Sequence, residues 1–557
     1  MGGWALKSCR RRLIWGWTLV LLGAFLLGFA GWQSYRVVDP LLKQGWGRVL
    51  REAYSLQAFF GDQKAARLRA RVERDFWPYL TAKLNLFFLL GGGGFLLTLL
   101  GVGMLRRPPS YCVRWGRLPR EYRRREGFVV GRVPGFLGPL VRLPPATHAI
   151  MLAPSGVGKT STLIHGLLTW PGGAIVTDPK GEIFEHTAEF RSRALKQDIL
   201  YWSFDAPAHP MPLGKLYGDN IAALEELRNL YVKRTGTDPA FLNPWVDTLK
   251  ALIRDAEHRG EPAWQAALAV PMGLWVSALK EIAEEPHNPA REDALTALEV
   301  LQRGERYVAS VEGTVSGLHG LLRRIAPALD APRAAIDFRN ATIYLALQEG
   351  ADDERILAVW ALDGLYKAFK RAGLSSDPYG VLWVIDEAGV LRPSLLPDMI
   401  RIGRGRGAGV VAIAQSWADL AQAYGTNAAN SLLGALNGPV AILGVHQGDP
   451  ATKEYLTKVL SPFVYVSRRA KGDQPIPSPY QAAQDLLSQM RSGVLIPPRS
   501  APVPLEPAPW FRDRRVARMV RRAEPPEIIP PASVRARPLG KTGATKRGED
   551  DLDLGDL

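Results

Sequence analysis

The chain has 557 residues, 47% of them hydrophobic and 22% charged, which is enough for a large packed core and for about three domains. Lysine and arginine exceed aspartate and glutamate by 70 to 54, and the net charge of +16 favours an anionic partner, either nucleic acid or lipid headgroups. Only two cysteines occur, Cys9 and Cys112, which excludes a disulfide framework and a cysteine-based metal site and fits a reducing compartment.

Two apolar runs near the N-terminus are long enough to cross a bilayer as helices. Residues 13–32 are uncharged and follow three arginines, whereas residues 84–105 have no ionisable side chain and precede a second arginine-rich stretch. A cleaved signal peptide is the alternative interpretation of the first run, with Gly28-Phe29-Ala30 as its cleavage site. Four glycines at 91–94 either admit a closely packed helix or form a kink.

The basic flanks of the two runs decide the predicted orientation. The positive-inside rule places both ends of this region in the cytoplasm and residues 33–83 outside. The nucleotide motif described below needs cytoplasmic ATP, which also favours two uncleaved spans. The sequence therefore predicts a multi-pass inner-membrane protein whose motor domain lies in the cytoplasm.

From about residue 145 short apolar runs alternate with amphipathic stretches such as 356–369. Apolar runs without polar alternation are typical of strands buried on both faces of a parallel sheet, and the amphipathic stretches are typical of crossover helices. The pattern predicts an α/β fold. The predicted strands are residues 149–152, 174–176, 343–345, 381–385, 410–413 and 440–443.

Residues 215–330 interrupt this alternation with helical patterns broken by prolines, and they predict an all-α domain inserted into the α/β core. The Pro- and Arg-rich end of the chain closes on an acidic stretch, which is typical of disorder. The predicted domains are residues 1–125 (membrane), 126–214 and 331–515 (two parts of the nucleotide-binding domain), 215–330 (inserted domain) and 516–557 (disordered tail).

A glycine-containing loop follows the strand predicted at 149–152 and precedes a helix. Gly156 and Gly158 allow a tight turn, so that backbone N–H groups and the helix N-terminus face phosphates. Lys159 supplies a positive charge, and Thr160 supplies a hydroxyl for Mg²⁺. The loop is predicted to bind ATP through Ala153, Pro154, Ser155, Gly156, Val157, Gly158, Lys159, Thr160 and Ser161.

The predicted strand 381–385 ends in Asp386 and Glu387. A carboxylate directly after a buried strand can lie beside Mg²⁺, and the next carboxylate can act as a base or orient the attacking water. The alternative is an ordinary strand end with exposed acids. Together with the phosphate loop, the pair predicts ATP hydrolysis, with Asp386 as a metal ligand and with Lys159 and Glu387 as catalytic residues.

A third strand, 410–414, ends in Gln415, which could sense the γ-phosphate or orient water. An arginine-rich stretch with Arg401, Arg404 and Arg406 lies just upstream. Arginines near a nucleotide site can complete the site of a neighbouring subunit as fingers, contact DNA, or lie in a solvated loop. We assign catalytic roles to Gln415 and, as the finger, to Arg404.

The segment 178–182, with sequence DPKGE, resembles the D-x-K-G-E segment of the type IV coupling proteins, the DNA-translocating ATPases of bacterial conjugation and type IV secretion. Asp386-Glu387, Gly403-Arg404-Gly405, Gln415-Ser416 and Tyr424-Gly425 are similar to further motifs of that family, and the similarity covers about residues 10–515. One departure affects the local loop geometry: Ala388-Gly389 follows the two acids, where the family usually has an aromatic residue and a proline.

The resemblance implies a RecA-like P-loop NTPase core in a homohexameric ring around a channel, with nucleotide between neighbours. It also implies spans that dock on an inner-membrane secretion channel, and a cargo of single-stranded DNA led by a relaxase. The basic surplus fits sequence-independent contacts with a nucleic-acid backbone. Candidate contacts in the inserted domain, or alternatively solvated helix faces, are Arg303, Arg306, Arg323 and Arg324.

Two other functions are compatible with the same motifs. The first is an ATPase receptor that recruits protein effectors to a secretion channel, with the acidic tail as a docking element. The second is a membrane-anchored pump for double-stranded DNA. Stimulation of the ATPase by DNA distinguishes these alternatives.

Overall fold

The computed structural model describes residues 18–32, 63–105, 111–135, 138–204, 206–302, 304–332, 335–347, 352–373, 379–444, 449–466, 477–490, 492–524 and 526–527, together with residues 36, 39, 43, 45, 49 and 50. The chain forms two compact units. One consists of Met1–Gly116 with Leu456–Gln489, and the other consists of Arg117–Tyr455 with Met490–Leu557. Helices and strands are numbered below in chain order.

The first unit contains helices and a two-stranded sheet in which β1 pairs antiparallel with β11. A Cβ added at Gly23 would lie 2.2 Å from Thr98 Oγ1, and one added at Gly94 would lie 2.8 Å from the Gly23 carbonyl oxygen. The close helix packing predicted for 91–94 is therefore confirmed at Gly94. The described elements are α1 (Thr18–Trp32), α2 (Gln63–Arg71), a π turn (Val72–Phe76), α3 (Trp77–Leu105), β1 (Tyr111–Val113), β11 (Val464–Val466) and α19 (Pro479–Gln489).

In the part of the chain that the structure describes, no single helix has both the length and the apolar character needed to span a membrane. The shorter apolar helices are Thr18–Trp32 and Leu90–Leu100, and the helices Ala263–Ala269 and Met272–Glu284, bent by 85°, meet the requirement only as a pair. Residues 13–17 of the first predicted span lie outside the described residues.

The second unit is built on a nine-stranded sheet of order β13-β12-β10-β4-β9-β8-β5-β7-β6. The six predicted strands are confirmed as β4, β5, β7, β8, β9 and β10. Every residue of β4, β5, β7, β8 and β9 is buried, because long apolar side chains pack on both faces of the sheet. Strands β2 (Phe128–Arg132) and β3 (Leu140–Leu143) form a separate antiparallel pair. The strands of the nine-stranded sheet are β4 (His148–Leu152), β5 (Gly173–Asp178), β6 (Asp198–Ser203), β7 (Ala341–Ala346), β8 (Val381–Ile385), β9 (Ala408–Ala414), β10 (Val440–Ile442), β12 (Gly493–Ile496) and β13 (Val503–Leu505).

The sheet is mixed rather than wholly parallel. Strands β4 to β10 pair parallel with one another, whereas β12 pairs antiparallel with β10 and with β13. The helices outside the insertion are α4 (Lys159–Thr169), α5 (Glu182–Arg193), α13 (Asp352–Ala372), α14 (Ala388–Leu391), α15 (Leu396–Ile402), α16 (Trp417–Tyr424), α17 (Thr426–Ala435), α18 (Pro450–Leu460) and α20 (Arg514–Ala517). The carboxyl ends of β4, β9, β8 and β5 therefore lie side by side at one edge of the sheet.

An all-helical segment lies between β6 and β7, as the sequence predicts. Trp360 of α13 anchors it: Trp360 Nε1 donates to the Ala223 carbonyl at 2.8 Å, and Tyr217 Oη donates to the Trp360 carbonyl at 2.6 Å. The helices are α6 (Leu213–Tyr217), α7 (Asn220–Thr235), α8 (Pro239–His258), α9 (Ala263–Ala269), α10 (Trp275–Glu284), α11 (Arg291–Leu301) and α12 (Glu305–Asp330). The domain boundaries drawn from the sequence remain predictions.

The chain that follows β13 packs on helices α4 and α5. Ala508 N donates to Thr162 Oγ1 at 3.1 Å, and His165 Nδ1 donates to the Ala508 carbonyl at 2.9 Å. Further along, Ala523 N donates to the Glu185 carbonyl at 2.9 Å. The predicted start of the tail at 516 therefore lies within structured chain, whereas 528–557 lie outside the described residues.

Candidate nucleotide-binding site

The loop between β4 and α4 has the backbone of a phosphate cradle. Gly156 has φ +81° and Gly158 has φ +89°, a left-handed region that strains residues with a Cβ atom. Gly158 immediately precedes the first residue of α4, so the unpaired N–H groups of the helix start face the loop. The Ala153 N–H donates to the Ala414 carbonyl at 3.0 Å, which ties the loop to β9.

Lys159 and Asp386 meet at the mouth of this loop. Lys159 Nζ lies 2.8 Å from Asp386 Oδ1, and the two side chains are 16% and 6% exposed. Thr177 Oγ1 donates to the Asp386 carbonyl at 3.0 Å, and the Glu387 N–H donates to Asp386 Oδ1 at 2.9 Å. Two residues far apart in sequence are thus held together because β4 and β8 end at the same edge of the sheet.

Glu387 has a strained backbone. Its φ of +57° and ψ of +41° are left-handed values that are uncommon for a residue with a side chain. The next helix, α14, starts at once, and its Gly389 packs tightly, because an added Cβ would lie 2.8 Å from the Asp419 Cβ. This contact explains the departure at Ala388-Gly389 noted in the sequence: only a glycine fits at the second position.

The segment 178–182 also enters the site. Asp178 is 1% exposed, and its Oδ2 accepts a hydrogen bond from the Phe184 N–H at 2.8 Å, which holds the start of α5. Burial, together with the nearby carboxylates of Asp386 and Glu182, raises the pKa of Asp178 to about 6. The sequence linked this segment only to a family resemblance. Its position after β5, a neighbour of β8, is the signal that could have placed it in the site.

These elements surround one cleft with a volume of about 330 Å³. Of the predicted loop residues, Ala153 and Val157 do not line it: Ala153 is buried behind the loop, and Val157 packs towards Gly444. The lining residues are Pro154, Ser155, Gly156, Gly158, Lys159, Thr160, Ser161, Asp178, Pro179, Lys180, Glu182, Ile183, Asp386 and Glu387.

The cleft has the ligand types that Mg²⁺ requires. Mg²⁺ in phosphate-transfer sites is held by one or two protein oxygens together with phosphates and water, rather than by a cage of side chains. Thr160 and Asp386 both line the cleft and supply a hydroxyl and a carboxylate oxygen. The residues present therefore fit the ion, which Thr160 and Asp386 would hold.

Gln415 and Arg404 lie apart from this cleft. Gln415 directly follows β9, between the carboxyl ends of β4 and β8, but it is exposed and is not among the lining residues. Arg404 lies in the helical turn Gly403–Arg406 that precedes β9, and its charge acts on His148 at the start of β4. The five residues of β4 separate His148 from the loop by roughly 16 Å at about 3.3 Å per residue. The structure therefore does not bring Arg404 to the cleft of its own chain.

The loop, the Lys-Thr pair and the buried carboxylate define the class of the protein as a P-loop nucleoside triphosphatase. A family model described as Type IV secretory system Conjugative DNA transfer matches residues 116–268, and one described as TraM recognition site of TraD and TraG matches residues 380–494. Both models describe proteins of conjugative DNA transfer, and over these two segments they support the resemblance to the type IV coupling proteins.

Solved structures with similar folds have low sequence identity to this chain. The conjugative coupling protein TrwBdeltaN70 in an unbound form is 16% identical, with a TM-score of 0.49 over 76% of this chain and 98% of that one. TrwB in complex with ADP and Mg²⁺ is 16% identical, with a TM-score of 0.47 over 71% and 97%. VirB4 of Thermoanaerobacter pseudethanolicus is 16% identical, with a TM-score of 0.43 over 71% and 100%. No curated protein matches the chain by sequence.

Proposed function

We propose that this protein is an ATP-driven DNA translocase that moves DNA, or DNA carrying a bound protein, toward a conjugation or type IV secretion channel. The observation that carries the ATPase assignment is the 2.8 Å contact of Lys159 with Asp386 beside a loop of left-handed glycines. The DNA assignment is supported by the two family models, which cover both the phosphate-loop region and the chain after Glu387.

Each cleft residue has a role that follows from its position. The loop N–H groups and Lys159 hold the β- and γ-phosphates of ATP, while Thr160 and Asp386 hold Mg²⁺. Mg²⁺, when bound, neutralises negative charge on the phosphate oxygens. Glu387 accepts a hydrogen bond from the attacking water and orients it toward the γ-phosphate. Gln415, at the neighbouring strand end, responds to the γ-phosphate by a side-chain movement into the cleft.

A homohexamer is part of the proposal because Arg404 needs a second subunit. Arg404 is exposed at the sheet edge opposite to its own cleft. A ring that places this edge against the cleft of a neighbour would let the guanidinium stabilise charge in the transition state there. Mixing Arg404→Ala subunits with Lys159→Ala subunits tests this: partial activity of the mixture supports a shared site, and a fully active Arg404→Ala enzyme overturns it.

We place the protein in the inner membrane with the motor in the cytoplasm. The support is the pair of apolar helices α1 and α3, their close packing at Gly23 and Gly94, and the basic residues that flank both runs. Partner proteins are a relaxase or a component of the secretion channel. Labelling of a Gly45→Cys variant in intact cells checks the topology. A cysteine in the loop 33–83 should react with a thiol reagent that does not cross the membrane.

The central experiment measures ATP hydrolysis by the full chain in detergent, with and without single- and double-stranded DNA. We expect single-stranded DNA to stimulate turnover, Lys159→Ala to abolish nucleotide binding, and Glu387→Gln to retain binding but stop turnover. The absence of both DNA binding and stimulation would favour the receptor for protein effectors. Unchanged hydrolysis by Glu387→Gln would remove Glu387 from the mechanism.

A further inference from the structure

A second cavity lies between the inserted helical domain and the chain that follows Glu387. Its volume is about 960 Å³, and it shares no lining residue with the phosphate-loop cleft. The walls are the end of α7, the start of α13, the segment after α14, and the neighbouring helices α16 and α17. A cavity of this size is at the upper end of the range for ligand sites, about 300–1,000 Å³.

The cavity walls have an excess of positive charge. Among the described lining residues four side chains are cationic and two are carboxylates. Asp352 is paired with a cation, because its Oδ1 accepts from Arg355 Nη1 at 2.9 Å. Asp419 Oδ2 accepts from the Ser416 N–H at 2.9 Å in the cap of α16 and keeps its negative charge. The remaining cations are Lys233, Arg234 and Arg392.

The guanidinium groups repel one another across this cavity. Arg234 is partly buried, and its Nη2 donates to the carbonyl oxygen of Arg392 at 2.9 Å. Burial lowers the pKa of Arg234; the charges of Arg392 and Arg355 also lower it, whereas Tyr424 and the Asp363 carboxylate raise it. Cations held together in this way are stabilised by a bound anion, and phosphate is an anion that both Arg and Lys bind.

One helical turn joins this cavity to the nucleotide cleft. Glu387 and Arg392, at either end of α14, both have left-handed φ angles of +57° and +49°. The Glu387 carbonyl accepts from the N–H groups of Val390 and Leu391 at 2.8 and 2.9 Å, and the Ala388 carbonyl accepts from the Arg392 N–H at 3.0 Å. The backbone of Arg392 is thus connected to that of Glu387 by a single hydrogen-bonded turn, so a displacement of Arg392 would also displace Glu387.

We propose that the second cavity binds backbone phosphates of the transported DNA and that its occupancy adjusts Glu387 in the nucleotide cleft through α14. This inference rests on the proposed DNA-translocating function and adds the contact site and its link to hydrolysis. Contacts with phosphates do not read bases, so the site suits sequence-independent transport.

The test removes two cations from the cavity wall without straining the backbone. The variant Lys233→Gln/Arg392→Asn lowers the charge by two, and asparagine tolerates the left-handed φ of position 392 better than most residues do. The matched control, Lys280→Gln/Arg193→Gln, removes the same charge from exposed positions on α10 and α5, outside both cavities. All proteins are full chains in detergent, and the ligand is a fluorescent 30-nucleotide oligo(dT).

The readout is the slope of log Kd against log salt concentration. Each lost phosphate contact lowers the slope by about 0.7 for single strands, so the cavity variant should lose about 1.4 and the control should match the wild type. DNA stimulation of ATP hydrolysis should fall in parallel. If the double variant fails to fold, Lys233→Gln alone, at an exposed position, should lower the slope by about 0.7.

Other results overturn the inference. Equal slopes in all three proteins, or equal losses in the cavity variant and the control, would show that DNA does not contact these cations. A labelled polyglutamate peptide serves as a second ligand. If the cavity variant alone loses affinity for this peptide while its DNA slope is unchanged, the cavity binds an acidic protein segment instead. A wild-type chain that does not bind oligo(dT) would instead refute the proposed function itself.

Discussion

Replacing Arg191 with methionine should destabilise the nucleotide-binding domain strongly, although the residue lies outside the cleft. Arg191 is fully buried, and burial lowers its pKa to about 10, so it remains charged at neutral pH. Nη1 donates to the carbonyls of Leu167 and Trp170 at 2.6 and 2.9 Å, and Nη2 donates to the Gly172 carbonyl at 2.6 Å. The side chain thus supplies hydrogen-bond donors to backbone carbonyls at and just after the C-terminal end of α4, the helix that begins at the phosphate loop.

The magnitude follows from these hydrogen bonds. With the bond from Nε to Thr342 Oγ1 at 2.7 Å, four charge-assisted bonds are lost, at about 1.5 kcal/mol or more each. Relief of the cost of burying a guanidinium returns part of this sum. We expect a net loss of about 3 kcal/mol.

Pulse proteolysis in urea measures the folded fraction of this domain within the full chain. The control is Arg193→Met, two residues further on, where the side chain is 72% exposed and the expected change is within about 0.5 kcal/mol. A loss below about 1 kcal/mol for Arg191→Met would refute the argument that this residue carries the end of α4.

Gly389→Ala should lower the rate of ATP hydrolysis more than it weakens ATP binding, because the added Cβ would meet Asp419 and displace the turn that follows Glu387. The control Gly320→Ala adds a Cβ in open space on α12 and should leave turnover unchanged. Burial raises the pKa of Asp363 to about 6, so ionisation of this carboxyl group destabilises the folded state as pH rises from about 4 to 6. In urea unfolding, the free energy of unfolding of Asp363→Asn should therefore rise by about 2 kcal/mol relative to the wild type between pH 4 and 7. A pH-independent difference would contradict that assignment. Gly23→Val should lengthen a spin-label distance between α1 and α3, whereas Gly28→Val, with open space around it, should not.

Sequence patterns predict some strands of the sheet and not others. Strands buried on both faces appear as continuous apolar runs, so β4, β5, β7, β8, β9 and β10 were predictable. The edge strand β6 starts with the exposed Asp198 and then alternates half-buried and buried residues, whereas β13 contains Pro504. A half-exposed strand such as β6, or one interrupted by a proline such as β13, has no continuous apolar run, and only pairing with the sheet defines it.

The position of Arg404 shows a different limit. Its place just upstream of Gln415 in the sequence suggested an arginine finger for a neighbouring subunit, but it did not show where Arg404 lies in its own subunit. The two ends of a strand lie at opposite edges of the sheet. The turn before β9 and the residue after it are therefore at opposite edges of the sheet. Sequence proximity could not reveal this separation, because it depends on the direction of β9 within the sheet.

The sequence by itself determined the phosphate loop, the Asp386-Glu387 pair and the helical insertion, because each depends on local backbone needs or on periodicity within one segment. Tertiary structure alone decided that Asp178 enters the cleft, that Arg191 closes the end of α4, and that a cationic cavity adjoins the turn after Glu387. These features join residues far apart in the chain. Their chemistry arises from burial and from neighbouring charges, which no single stretch of sequence contains.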